Sequence, residues 1–348
     1  MARTDRAGRI GWIDAARAAG AVAIVLLHVL VSTNLAADLS LVRRIAYAIV
    51  GIVGCRWAVP AFFMVSGALM LDPACNMDWH KALLHVRRML LVIATFGTAF
   101  ALMEEVWTRV RGGMEIGPSL VLIVVRDVLT MRTWDHLWFV YAMAGVYLLV
   151  PAMRWVGRRF GERGHMVLTL LLFVGVLVVP TLMGGATVAG LLSAFVWNVG
   201  AGCACFCVGA YLTRWRISPA WAAVGIGSAI VMVLVSVTGI GAGEGDRGFV
   251  FLQGSCFACA YAVFVLLLLR RLVGEDPLRM DGVPNALARD SFGIYLIHPL
   301  FIHLGLILVD PVALVPVLYE SVFAGLALLA SVFTTRLLRR VPLLGSLL

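Results

Sequence analysis

The chain has 348 residues, of which 62% are hydrophobic and 14% charged, and its mean hydropathy is +0.98. So little charge excludes a water-soluble domain of this length, in which about a quarter of the residues are charged, and leaves a polytopic membrane protein. The net charge of +9 is accounted for by arginines in short loops, so no nucleic-acid partner is inferred.

Apolar runs near the roughly 20 residues that cross about 30 Å of hydrocarbon follow one another along the chain. They run from Ala15 to Ser32, Ile45 to Leu71, Met89 to Val106, Leu137 to Met153, Met166 to Thr187, Leu191 to Leu212, Ala220 to Ile240, Phe249 to Leu272, Phe292 to Val309 and Leu314 to Leu337. They predict an all-α fold, a polytopic transmembrane helix bundle of about ten spans. Pro118 to Met131 is shorter and carries Arg126 and Asp127, which suits an interfacial or re-entrant helix.

Lysine and arginine in short loops stay on the cytoplasmic side. With the N-terminus inside, Arg3, Arg6 and Arg9 share that side with Lys81, Arg87 and Arg88 and with the basic runs Arg154 to Arg163, Arg214 to Arg216, Arg270 to Arg289 and Arg336 to Arg340. Fewer fall outside: Arg43, Arg44, Arg109, Arg111, Arg126, Arg132 and Arg247. Both termini are therefore expected in the cytoplasm, with span one as a retained anchor that needs no cleavable signal. Lys81 is the one lysine among 28 basic residues, which points to a GC-rich bacterial source and hence to a multi-pass protein of the bacterial cytoplasmic (inner) membrane.

No internal repeat or composition break divides the chain, so residues 1–348 are expected to form a single integral-membrane domain. The longest polar connections, Trp107 to His136 and Arg270 to Ser291, are too short to hold a separate catalytic fold. Chemistry must then take place on the membrane domain itself. The seven cysteines suggest neither a disulfide framework nor a metal site: Cys203, Cys205 and Cys207 point to different faces of one helix, and Cys256 and Cys259 sit inside an apolar span.

Polar residues inside the spans mark the candidate site, because an ionisable group at that depth is costly and usually faces a cavity or a partner. Span one, "IDAARAAGAVAIVLLHV", carries Asp14, Arg17 and His28. Arg17 and His28 stand three turns apart on one face, about 16 Å along the axis, and Asp14 lies on that face too. Two readings fit: Asp14 and Arg17 form a snorkelling ion pair and His28 bonds a neighbouring helix, or the face lines a functional cavity. Span two, "CRWAVPAFFMVSGALML", places Arg56 at roughly the depth of His28, with Pro60 removing a helical hydrogen bond and Ser66 and Gly67 permitting close backbone approach. It is either shaped around a cavity or simply kinked beside an interfacial arginine.

Glu104 and Glu105 close span three at the outer surface, where a solvated helix end is expected. Span four opens with "TWDHLWFVYAM", in which Trp134 and Trp138 suit stacking on sugar rings, His136 suits a hydroxyl and Tyr141 follows one turn on. Aromatic residues at this depth also form the ordinary interfacial belt. In span nine, "SFGIYLIHPLF", His298 sits several residues in from the cytoplasmic face, either lining a substrate path or satisfying a carbonyl freed by Pro299.

Taken together, "WIDAARAAGAVAIVLLHV", "VPAFFMVSGALML", "WDHLWFVYAMAGVYLLVP" and "SFGIYLIHPLFI", in this order from Arg9 to about Leu337, resemble the acyltransferase 3 family of integral membrane acyltransferases. The resemblance implies a helix-bundle domain that moves an acyl group, commonly acetyl, from cytoplasmic acyl-CoA to a hydroxyl of a cell-envelope carbohydrate or lipid-linked glycan. It implies acyl-CoA as donor substrate with no bound cofactor and no metal, and Arg17 and His28 as the family's essential arginine and histidine. Ending soon after its tenth span, the sequence is similar to the stand-alone O-acetyltransferase and succinyltransferase branch.

The chemistry agrees with the resemblance. Attack of a sugar hydroxyl on a thioester needs a base near neutral pH, which His28 supplies. Arg17 suits a CoA phosphate, with Asp14 beside it. Arg56 suits either a developing oxyanion or the acceptor, and Ser66, His136, Trp138, Tyr141 and His298 complete the expected substrate-binding set. The competing reading, a secondary transporter or flippase for a lipid-linked sugar or small solute, calls for an inverted repeat and paired interrupted helices.

Overall fold

The computed structural model describes residues 10–34, 45–183, 194–238, 255–276, 282–308 and 316–348, with the backbone alone at 194 and 316–319. Arg3, Arg6, Arg9, Arg43, Arg44, Arg247 and Arg279 of the charge pattern lie outside the described residues, as do the predicted span ends at Thr187, Leu191, Ile240, Phe249, Val309 and Leu314. The described residues form helices joined by turns and contain no strand.

In chain order the helices are α1 (Gly11–Asn34), α2 (Ile45–Met70), α3 (Trp79–Arg111), α4 (Ser119–Leu129), α5 (Asp135–Met183), α6 (Ala194–Gly209), α7 (Pro219–Thr238), α8 (Cys256–Val273), α9 (Val283–Leu308), α10 (Pro316–Leu338) and the short α11 (Pro342–Leu347). Among the described residues, eight stretches are long and apolar enough to cross a membrane. One of them, α5, holds both the fourth and the fifth predicted span, and the shorter α6 holds the sixth. The chain is thus an all-helical, multi-pass membrane protein.

Local chemistry sets several of the boundaries. Asp78 caps α3 by accepting the Lys81 backbone N–H at 2.9 Å, a bond that holds its carboxyl below the usual carboxylate range. Ser255 caps α8 by accepting from Ala258 at 3.1 Å. In α5 the helix breaks at Gly161, whose φ of 68° a side chain would resist, and this separates the two arms. In α2 the helix loosens to a turn at Arg56 and Trp57, one turn ahead of Pro60, which has no N–H for the Arg56 carbonyl. The amphipathic α4, with Leu122 and Leu129 exposed and Val124 buried, spans only about 16 Å and is too short to cross.

Helix α1 is the hub. It packs against α9, α2, α10 and α8, with Trp12, Ile24, Val25 and Val29 fully buried. Lipid offers helices no hydrophobic drive to associate, so close packing must hold them together. At Gly67 and Gly209 the backbones of α2 and α6 touch: a β-carbon on Gly67 would overlap Phe206, and one on Gly209 would overlap Met64. The cysteines pack in this region as small side chains, Cys205 Sγ 3.7 Å from Cys259 Sγ and Cys207 Sγ 3.6 Å from Met153 Sδ.

The described basic segments assigned to one side gather at one end of the bundle. Arg154 donates to the carbonyls of Met70, Asp72 and Cys75, Arg270 to those of Leu212 and Trp215, Arg88 to that of Leu347, and Arg339 to that of Arg289. Buried Asp290 pairs with Arg336 and Arg339, which ties the start of α9 to the end of α10. These pairs let α9 begin at Val283, nine residues before the apolar run predicted for it.

Candidate active site

Two cavities enter the bundle from opposite ends and meet at a shared wall. The smaller, about 270 Å³, lies where α1, α3 and α9 begin and is lined by Arg17, Arg88, Arg289, Ser66 and Tyr147. The larger, about 620 Å³, lies where α1 and α3 end and α5 begins, and holds His28, Arg56, His136, Trp138 and His303. Ile24, Phe139 and Tyr295 line both. The single face of α1 predicted from Arg17 and His28 is therefore real, but it serves two chambers, with Ile24 between them.

Arg17 lines the smaller cavity. Asp14 is buried and lines neither cavity: it sits some 60° around the helix from Arg17, and that rotation turns it into the packing of the bundle. Arg88, reaching in from α3, lies 5.5 Å from the Phe292 ring centre while it donates to Leu347. Arg88, Arg289 and Tyr147 were not among the expected site residues. Arginines in loop-proximal turns read as topology signals, and only the packing of the helices brings these two, Arg88 half-buried and Arg289 exposed, to one cavity.

Beside the larger cavity three histidines from three helices converge: His28 and His136 line it, and His298 lies fully buried behind them, lining neither cavity. The His28 ring lies 4.9 Å from that of His298 and 6.5 Å from that of His136, and His136 and His298 are 5.7 Å apart, centre to centre. His136 Nε2 is 3.2 Å from the Leu296 carbonyl, and the Tyr295 hydroxyl donates to the His136 carbonyl. His298 Nδ1 is 3.1 Å from the Ile294 carbonyl and 2.8 Å from that of Tyr295, the group that Pro299 leaves without its helical donor. Because α9 starts at Val283, His298 lies about 22 Å along the helix, level with His28.

The remaining expected residues separate. Ser66 lines the smaller cavity, Arg56 and Trp138 the larger. Tyr141 turns away and donates to the Val128 carbonyl at 2.7 Å, pinning the end of α4. Trp134 is unsuited to stack on a sugar: Phe100 at 4.4 Å and His303 at 4.5 Å lie nearly parallel to it and make no ring contact with each other, so both faces are covered. Trp138, half-buried, lines the larger cavity, and Phe139 meets it edge-on at 6.2 Å. Glu104 and Glu105 are not merely a solvated helix end, since α3 continues to Arg111 and both line the larger cavity, Glu104 accepting from Trp134 Nε1 and Glu105 pairing with Arg109. No group of three or more metal-ligating side chains suited to a metal ion occurs among the described residues.

This arrangement of arginines, a thin wall and a histidine-lined chamber spans most of the chain, and so does its match to a known family. A family model described as an acyltransferase domain, that of the acyltransferase 3 family, matches residues 10–336. No curated protein and no solved structure matches the chain.

Proposed function

The chain belongs to the acyltransferase 3 family and is a membrane acyltransferase, and from that premise we propose that it moves an acyl group, acetyl before succinyl, from cytoplasmic acyl-CoA to a hydroxyl of a cell-envelope carbohydrate at the bacterial inner membrane. The observation that carries this reading is the shared wall of Ile24, Phe139 and Tyr295 between an arginine-lined and a histidine-lined cavity. In this reading the smaller cavity takes the pantetheine arm, while Arg17, Arg88 and Arg289 meet the CoA phosphates near its mouth through charge-assisted bonds. The thioester comes to the wall. On the other side a sugar rests on Trp138, and His28 removes the proton of the attacking hydroxyl. The new ester C–O bond forms as the C–S bond breaks, and the thiolate recovers the proton from His28. In the same reading Arg56, which lines the larger cavity with His28, meets the developing oxyanion.

The test uses purified protein in liposomes with labelled acetyl-CoA and an envelope glycan extract. Labelled glycan and stoichiometric free CoA are expected. Movement of a sugar across the bilayer with no CoA release would replace this reading with a transporter. Mass spectrometry of glycans from a deletion strain identifies acyl group and acceptor together. Sidedness is checked by reporters, cytoplasmic after Arg159 and external at Gly113.

A further inference from the structure

We infer that His298 is the positioning partner of His28, a neutral acceptor that holds the proposed base in its working tautomer and receives its N–H as the base becomes charged. The inference rests on the reading of His28 as base. It starts from Pro299, which has no N–H to give the Tyr295 carbonyl. His298 Nδ1 stands 2.8 Å from that oxygen and 3.1 Å from the Ile294 oxygen. A carbonyl only accepts, so Nδ1 carries the proton and Nε2 is left with a lone pair. The ring is fully buried, and Nε2 has no hydrogen-bond partner among the described residues.

An unsatisfied acceptor in so buried a place is unusual enough to call for a donor. The adjoining ring is His28, 4.9 Å away centre to centre. Two imidazoles joined by one N–H···N bond of about 2.9 Å have centres about 5 Å apart, so the two rings stand at the separation that such a bond requires. His136 is a weaker candidate, because its Nε2 proton is directed to Leu296.

The consequence is chemical. A neutral His28 that gives its one N–H to His298 turns its lone pair to the cavity, where the acceptor hydroxyl arrives. When the hydroxyl proton moves to that nitrogen, His28 carries two N–H groups and a charge, and His298 Nε2 accepts one of them in a low-dielectric pocket. His298 neither gains nor loses a proton, and the proton on His28 leaves with the thiolate. A carboxylate would hold the imidazolium more strongly but would have to be buried as a charge. An imidazole locked by a backbone carbonyl avoids that cost.

The experiment compares His298→Leu, His298→Gln and the double variant His298→Leu with Pro299→Ala, measuring kcat and both KM values. Leucine is expected to lower kcat by the order of a hundredfold, as misplacing a catalytic group does, with both KM values unchanged. Glutamine, which offers a donor and an acceptor, is expected to recover much of it. In the double variant the backbone N–H restored by Pro299→Ala serves the Tyr295 carbonyl, so a merely structural role of His298 predicts recovery, whereas a positioning role predicts none. Recovery in the double variant, a glutamine variant no faster than leucine, or a leucine variant with wild-type kcat each overturns the inference. Nitrogen-15 NMR of the wild-type histidines decides the tautomer without any variant: a protonated Nε2 on His298 overturns it as well. Should His28→Ala keep its transferase activity, it is the reading of His28 as base that has failed.

Discussion

The two cavities are built from the same helices yet differ in what their walls offer. The smaller one draws its polar character from arginines set near helix ends, where long side chains reach inward while their stems stay in apolar packing. The larger one draws it from short, rigid rings: His28 and His136 line it and both pack against buried His298, and His136 and His298 are tied to backbone carbonyls. Flexible cations suit the recognition of a mobile phosphate chain. Rings held in one orientation suit proton transfer, which tolerates little misplacement. That contrast supports the proposed division of labour along α1, binding at Arg17 and chemistry at His28.

The largest effect should come from the rigid side. His28→Ala is expected to lower kcat by about two to four orders of magnitude while insertion and donor KM stay normal; near-normal turnover would remove His28 as the base and erase the contrast. Next is Arg17→Ala, expected to raise the KM for acyl-CoA about ten- to a hundredfold through loss of one charge-assisted contact worth roughly 1.5 to 3 kcal/mol. A donor lacking the 3′-phosphate, together with Asp14→Asn as a charge control, shows whether the phosphate is what Arg17 reads. If donor affinity is untouched and only turnover drops, Arg17 belongs with the reacting groups and the two cavities are one site.

The wall between them can be thinned. Phe139→Leu, which shortens a residue common to both cavities, should shift the ratio of butyryl to acetyl transfer upward by about tenfold, the worth of one or two methylenes in an apolar pocket. An unchanged ratio would place the acyl path elsewhere. The smallest effect is expected at the tryptophan that lines the larger cavity: Trp138→Ala should raise the acceptor KM about three- to tenfold, in line with roughly 0.5 to 1.5 kcal/mol for an aromatic contact. Trp134→Ala, whose ring is already sandwiched, should instead lower thermal stability and leave the acceptor KM near wild type. Equal effects on KM would show that both rings meet the sugar.

How much of this was legible beforehand depends on the range of the interaction concerned. The described part of every predicted span lies largely on a helix because an apolar run of sufficient length can satisfy its backbone in lipid only as a helix. The shared face of Arg17 and His28 was legible for the same reason, since helical spacing is local. Helix ends were less so. Val283 to Ser291 looks polar enough for a loop, yet it is helical, because Asp290 is neutralised by Arg336 and Arg339 from a distant part of the chain.

From the sequence alone follow the membrane class, the order of the helices, the family resemblance and the pairing of one arginine with one histidine along α1, all of which depend on composition and near-neighbour spacing. The tertiary structure alone decided that this face opens into two chambers, that His298 stands beside His28, that Trp134 is covered and that Arg88 and Arg289 line the same cavity as Arg17. These are contacts between residues far apart in the chain. Side-chain direction at such contacts is set by which helices touch and how they are rotated, information that no local pattern of residues contains.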